Sequence, residues 1–201
     1  MKRLKKLIIM GCLVLLITGC GVFTVANKKV EYLKGKHNIE ISIKNYGKME
    51  LELDADVAPI TVTNFMELVK EGFYDNNRIT RVDKDFVIQG GNTDMTKETI
   101  KGEFLANGKE NTISHTKGVI SMARSGSQTD GYDTASTQFF IVTNDKAVDS
   151  LDNYYAAFGK VTKGIEVLDK LNKKNFAANS MGFISNESDM PVIEYIKEIE
   201  K

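Results

Sequence analysis

The amino-acid sequence predicts a mainly β domain: eight antiparallel strands closed into a barrel and capped by two α-helices. Three observations carry this. Apolar and polar residues alternate through a hairpin over residues 39–53, and six further short runs read as strands. Two segments, residues 60–71 and 165–173, show the 3.6-residue period of a helix with one buried face. An antiparallel sheet of that many strands tends to close, because closure removes its exposed edges.

The elements follow in order. Ile39, Ile41 and Ile43 alternate with polar residues, Asn45-Tyr46-Gly47 supplies turn chemistry, and Met49, Leu51 and Leu53 resume the alternation. From Pro59 the period changes. Val62, Phe65, Met66 and Val69 fall at helical spacing, with Pro59 near the start and Gly72 past the end, which predicts a helix over residues 60–71. Strand-like runs follow at Asn77–Val82, Phe86–Gln89, Gly118–Ala123, Thr137–Thr143 and Tyr155–Val161. Residues 165–173 read as a second helix, with Ile165, Leu168 and Leu171 on a common side. Residues 191–199 fit either element: Val192, Ile196 and Ile199 suit a helix, whereas the leading proline and β-branched content favour a closing strand. Residues 92–112 and 174–190 are long irregular loops, and such loops in a compact domain are often binding surfaces.

With 201 residues the chain has room for one domain of ordinary size, or at most two small ones. Its formal charge is zero, but Lys2, Arg3, Lys5 and Lys6 precede any acid. Beyond residue 19 the chain holds 23 bases against 27 acids, a net charge of about −4, which argues against a nucleic-acid partner. That basic start is followed by the apolar run Leu7 to Ile17 and then Thr18-Gly19-Cys20, the pattern of an export signal. Ile17-Thr18-Gly19-Cys20 resembles the bacterial lipobox, which implies a signal peptide over residues 1–19 and diacylglycerol on Cys20. An uncleaved membrane helix over Leu7 to Ala26 is the alternative, since 20 residues can span a bilayer. Both place the domain outside the cytoplasm. Residues 20–36 would then be a lipidated N-terminus and tether, and residues 37–201 the folded domain. Cys12 leaves with the signal, so Cys20 has no intramolecular disulfide partner and the domain must be held by its core.

The usual catalytic constellations are missing. His37 and His115 are the only histidines, and neither has a cysteine or acid at metal-ligand spacing. There is no phosphate-binding Gly-Lys-Ser/Thr loop and no Gly-x-Ser-x-Gly elbow, and Gly126 to Gly131 follows a strand without a helix behind it. What stands out is a strand face. Gln138 and Phe140 point one way, as do Val87 and Gln89, and Arg81 lies in the strand just before. Singly, an exposed arginine or a strand phenylalanine is ordinarily structural. An arginine, two glutamines and several apolar side chains on one face are unlike a merely solvated sheet.

The motifs then resemble one family in order from about residue 37 to the C-terminus. Asn64-Phe65 and Gly72-Phe73-Tyr74-Asp75, then Arg81-Val82 and Phe86-Val87-Ile88-Gln89-Gly90-Gly91, are similar to elements of the cyclophilin-type peptidyl-prolyl cis/trans isomerases. So are Gly102-Glu103-Phe104, His115-Thr116 with Gly118 and Ile120-Ser121-Met122-Ala123, Gln138-Phe139-Phe140-Ile141, and Leu151-Asp152 with Phe158-Gly159-Lys160-Val161. The family's closed eight-stranded barrel with two helices agrees with the count above.

The resemblance implies site roles. Arg81 takes the position of the arginine that contacts the substrate proline and stabilises the twisted amide, and Gln89 that of the glutamine that helps position it. Phe86, Val87, Phe140 and Leu151 match the pocket for the proline ring, with Tyr155 at its rim. Ala123 and Arg124 match positions that bind the peptide backbone, Arg124 through its main chain, and Gln138 matches another substrate-facing polar position. No cofactor and no metal is implied; the partners are proline-containing polypeptides, and a monomer is expected. There are departures. Thr80 replaces a common histidine, Val87 a common methionine and Tyr155 a histidine of many eukaryotic members. Ser150 stands where tryptophan is frequent, which implies weak cyclosporin binding. Ser125–Thr137 is about four residues longer than the usual bacterial form, and the glycine-rich stretch after Gly91 is lost.

These readings converge on a membrane-tethered prolyl isomerase acting on exported proteins at the outer face of the cytoplasmic membrane. A module that holds proline-containing loops without needing catalysis is the rival, and Arg81 argues against it. A purely structural surface barrel would not explain the groove residues.

Overall fold

The computed structural model describes residues 31–92, 96–127, 129 and 131–200. Eleven elements are built from them: β1 (Lys36–Ile43), β2 (Gly47–Asp54), α1 (Pro59–Lys70), β3 (Asn77–Asp83), β4 (Val87–Gly90), β5 (Val119–Met122), β6 (Phe139–Val142), α2 (Val148–Leu151), β7 (Ala157–Lys163), α3 (Glu166–Lys173) and β8 (Val192–Glu198). All pairings are antiparallel, and the strands close in the order β1-β2-β7-β5-β6-β4-β3-β8.

The alternation seen in the sequence becomes the barrel interior. Ile39, Ile41 and Ile43 on β1 and Met49, Leu51 and Leu53 on β2 are all buried. Phe65 of α1 reaches the rings of Tyr74, Phe158 and Phe139, with centroids 5.0, 5.1 and 5.7 Å away. Val62, Phe65, Met66 and Val69 are buried as their spacing requires. α1 lacks a side-chain cap from its own N-cap residue. Instead the buried carboxylate of Glu103 accepts the N–H groups of Ile60 and Thr61 at 3.2 and 2.8 Å and the Thr61 hydroxyl at 2.8 Å. A carboxylate there satisfies orphan donors and faces the positive end of the helix. The helix stops at Gly72, whose φ of +67° suits glycine, where Phe73 N–H returns to Leu68 C=O.

Four details differ from the sequence expectations. α2 is a third helix, a single turn too short to show a period. On α3 the buried residues are Val167, Leu168 and Leu171, and Ile165 is 37% exposed at its N-cap. Ile165 ends the preceding turn, so its side chain is not on the helix face. Residues 33–36, expected in the tether, dock on the barrel: Leu33 N–H donates to Thr63 Oγ1, Gly35 N–H to Asp56 Oδ1, and Lys36 pairs with Asp54. β5 and β6 are also shorter than expected and β4 and β7 start one and two residues later, so Phe86, Ala123, Gln138 and Tyr155 lie just beyond strand ends.

Residues 191–199 form the closing strand, β8, between β1 and β3. It meets β3 only at Asn77 and Arg78. Beyond that point the loop 174–190 covers the edge of β3: Ile184 N–H donates to Thr80 C=O, and Val82 N–H to Gly182 C=O, both at 2.9 Å. This loop therefore lies beside Arg81.

Candidate active site

Strand register lays out the site in a row. Arg81 on β3 pairs with Gln89 on β4, Gln89 with Phe140 on β6, and Phe140 with Ser121 on β5. The next row holds Asp83, Val87 and Val142. Side chains two apart share a face, so these rows project together. Their neighbours Val82, Ile88 and Ile141 project the other way, into the barrel core.

On this face Val87, Phe140 and Leu151 are buried in a second apolar cluster with Val142, Ala147 and Ala157. Phe86, Ala123 and Tyr155 pack half-buried around it. The Tyr155 ring meets Phe140 edge-on, 5.6 Å between centroids at 83°. A cleft of about 380 Å³ opens above this floor, walled also by Arg81, Gln89 and Arg124. Nine of the ten residues expected to act or bind thus line a single cleft. Gln138 lines a polar neighbour of about 220 Å³ with Thr134 and Ser136; this second pocket shares Gln89, Ala123 and Arg124 with the first. The Gln89 amide donates to Gln138 Oε1 at 2.7 Å and joins the two.

Arg81 is held from several directions. Its Nη2 donates to Asp83 Oδ2 at 2.6 Å, its Nε to Met181 C=O at 2.7 Å, and its Nη1 lies 3.4 Å from Gln89 Oε1. Its Cζ sits 5.9 Å from the Phe86 ring and 5.4 Å from the Phe183 ring. The guanidinium is an always-charged donor fixed over an apolar floor.

Arg124 departs from expectation. Its side chain, not only its main chain, is engaged: Nε donates to Tyr154 C=O at 2.9 Å, and Cζ sits 4.8 Å from the Tyr155 ring and 5.4 Å from those of Phe104 and Tyr132. It ties the Tyr155 rim to the loop that carries Phe104. Under the floor, His115 stacks on Phe140 at 6.1 Å and 21°. Its Nδ1 lies 2.7 Å from Asp152 Oδ1 and its Nε2 3.1 Å from Ser121 Oγ. Burial pushes the His115 pKa down, against the opposing pull of Asp152. Partial burial works to raise the Asp152 pKa, but hydrogen bonds from His115 and Ser114 outweigh it and hold the carboxyl below its usual range. This histidine is a support. Among the described residues no group of three His, Cys, Asp or Glu is placed to hold a metal ion.

Asp83, Met181 and Phe183 are the site residues that sequence reasoning missed. Asp83 had a signal, since it stands two residues from Arg81 on one strand. Met181 and Phe183 had none beyond lying in a long loop, because their approach to β3 spans about a hundred residues. The expected signal over residues 1–19, Cys20 and most of the tether lie outside the described residues.

A family model for cyclophilin type peptidyl-prolyl cis-trans isomerases matches residues 38–193. The chain belongs to the cyclophilin family. Peptidyl-prolyl cis-trans isomerase A of Dickeya dadantii is 37% identical over 152 residues, covering 73% of this chain and 76% of that protein. A peptidyl-prolyl cis-trans isomerase of Acinetobacter baylyi is 36% identical over 152 residues, with 74% and 78% covered. Among solved structures, a cyclophilin type peptidyl-prolyl cis-trans isomerase of Cryptosporidium parvum superposes with a TM-score of 0.68 at 26% identity, covering 83% of this chain and 99% of that one. The same protein in the presence of the dipeptide Ala-Pro gives 0.67 at 26% identity, with 82% and 99% covered. This cyclophilin is thus an enzyme of the peptidyl-prolyl isomerase type, on the barrel its own sequence predicts.

Proposed function

We propose that this cyclophilin accelerates cis/trans isomerisation of Xaa-Pro bonds in exported polypeptides, at the outer face of the cytoplasmic membrane, held there by lipid on Cys20. The chemistry asks for no nucleophile. A prolyl amide turns slowly because of its partial double bond, with a barrier of roughly 18–20 kcal/mol. In the twisted amide the nitrogen regains its lone pair and can accept a hydrogen bond. A turnover on the order of 10³ s⁻¹ needs a barrier near ~13 kcal/mol, so the site must supply roughly 6 kcal/mol. A charged donor, fixed beforehand in a site sheltered from water, can supply much of that.

The observation that carries this reading is the fixed guanidinium of Arg81 at the mouth of a cleft floored by Phe140, Val87 and Leu151. In the proposed mechanism the proline ring seats on that floor, which removes water from around the amide. Arg81 donates to the nitrogen as the bond twists, and Gln89 and Gln138 hold the peptide backbone. Pinning Arg81 in advance spares the rotamer entropy a free arginine would lose. Exchange spectroscopy on a short Xaa-Pro peptide tests it. Cis/trans exchange should quicken with the full chain in detergent, and binding without quickening would leave only a proline-binding module.

The location rests on the basic start, the apolar run Leu7 to Ile17 and Cys20. Export would bring the enzyme to polypeptides folding outside the cell membrane, where proline isomerisation over tens of seconds limits folding. Labelling cells with radioactive palmitate should mark the wild-type chain and not Cys20→Ser. Equal labelling, or none, would favour the uncleaved helix.

A further inference from the structure

We propose that Met181 and Phe183 form a subsite for an apolar side chain next to the substrate proline, on the Arg81 side of it. The inference rests on the isomerase reading above and adds a preference among substrates. Large apolar side chains exposed to water are few among the described residues: Tyr32, Leu105, Ile165, Met181 and Phe183. Two of these five stand together at one end of the catalytic cleft. Met181 is 58% exposed and Phe183 38%.

Their presentation is built into the loop. Asn179 Oδ1 accepts the N–H groups of both Met181 and Phe183, at 2.9 and 3.1 Å. Asn179 N–H donates to Phe183 C=O, and Gly182 N–H to Asn179 C=O, each at 3.0 Å. Gly182 has a φ of +82°, and a Cβ there would fall 2.7 Å from Val82 C=O, so the turn is closed against β3. A tight turn with four internal hydrogen bonds thus holds two apolar side chains out beside the cleft. Asp83 and Met181 C=O each accept from the Arg81 guanidinium, and the Phe86 and Phe183 rings flank it. Met181 and Phe183 line the same cleft as Phe86, on the far side of the Arg81 guanidinium.

The opposite end of the groove is different in kind. There the lining is Thr134, Ser136, Thr137 and Gln138. A polypeptide crossing both ends meets an apolar wall on one side of its proline and hydroxyl and amide groups on the other. The occupant of the first is a leucine-sized or aromatic side chain, because only such a group can cover Met181 and Phe183 from water together.

Peptides carrying Gly, Ser, Leu or Phe at each position flanking the proline test this with the full chain in detergent, reading both catalysed exchange and binding. At one flank Leu and Phe should exceed Gly by about fivefold in kcat/KM, the value for roughly 40 Å² of apolar surface withdrawn from water. In Met181→Ser that ratio should fall towards one at the same flank, with the other flank's pattern unchanged. Phe183→Leu, which stays apolar, should keep most of the ratio. Equal ratios in wild type and Met181→Ser, or no apolar preference at either flank, would overturn the subsite. Binding that shows the preference without any accelerated exchange would remove the enzymatic reading and leave the subsite standing.

Discussion

Asp83 accepts a hydrogen bond at 2.6 Å from Nη2 of Arg81, its neighbour two positions away on β3. The alternation of a strand puts both side chains on one face, and their bond helps to set the guanidinium over the cleft. The pair is partly exposed, at 19% for Arg81 and 31% for Asp83, so its contribution is that of a surface ion pair. Such pairs stabilise by about 0–1 kcal/mol. Asp83→Ala is therefore expected to lower kcat/KM by no more than about fivefold, since Gln89, Met181 C=O and two rings still hold Arg81. Steady-state kinetics on one peptide would decide, and a hundredfold loss would mean that Asp83 acts on the substrate itself.

His115 sets a limit on the acid side. Its pKa is lowered in the fold by burial, so between the folded value and the ordinary value near 6.5 the unfolded chain binds more protons. Stability is complete above that ordinary value and declines as pH drops through it. Asp152, held below its ordinary value of 3.8, adds a further loss at lower pH. Thermal unfolding from pH 7.5 to 5 should show a falling midpoint for wild type. His115→Gln should start lower but stay nearly flat. A flat wild-type profile would mean that the ring takes its proton without cost.

Much of this architecture was legible in the sequence because it depends on local periods. Ile39 to Leu53 announce a hairpin, Val62 to Val69 a helix face, and the pairs Val87/Gln89 and Gln138/Phe140 a shared surface. What was not legible depends on contacts between distant segments. Glu103 caps α1 from more than forty positions away, and nothing in its neighbourhood announces a helix partner. The guanidinium of Arg124 packs among three rings brought together only by folding. The role of Ile165 was misjudged because a period does not say where the first turn begins.

Glu103 yields a stability prediction. Replacing it with alanine leaves the N–H groups of Ile60 and Thr61 and the Thr61 hydroxyl without their acceptor. Unsatisfied buried groups cost about 1–3 kcal/mol each before relaxation and water entry, so Glu103→Ala should lose roughly 3 kcal/mol overall. Glu103→Gln, which keeps an acceptor and loses the charge at the helix end, should lose about 1 kcal/mol. Urea midpoints measure both, and equal losses would show that the charge, not the retained acceptor, carries the effect.

Arg124 links the rim of the proline pocket to the Phe104 loop through Tyr155. Arg124→Lys removes the planar stacking and the bond to Tyr154 C=O but keeps the charge. We expect KM to rise a few-fold, on the order of 1 kcal/mol of lost rim contact, with kcat little changed. An unchanged KM would confine Arg124 to its main chain.

Ser150 is exposed on α2 beside the cleft residue Leu151, at the position where the family resemblance implies a tryptophan. Cyclosporin should bind weakly. Ser150→Trp should tighten it by roughly tenfold, or about 1.4 kcal/mol. Calorimetric titration of both proteins would show this, and equal affinities would remove Ser150 from the explanation.

In the proposed mechanism a fixed arginine, not the apolar pocket alone, lowers the barrier to rotation. Exchange spectroscopy on an Xaa-Pro peptide should compare wild type with Arg81→Ala and Arg81→Lys, with circular dichroism confirming each fold. Arg81→Ala should lose roughly 10²–10³-fold, as for removal of one preorganised donor, with peptide binding largely kept. Arg81→Lys should recover only a part, because its point charge cannot span Asp83 and the substrate together. Near-wild-type exchange by a folded Arg81→Ala protein would rule out the arginine and assign catalysis to the floor of Phe140, Val87 and Leu151.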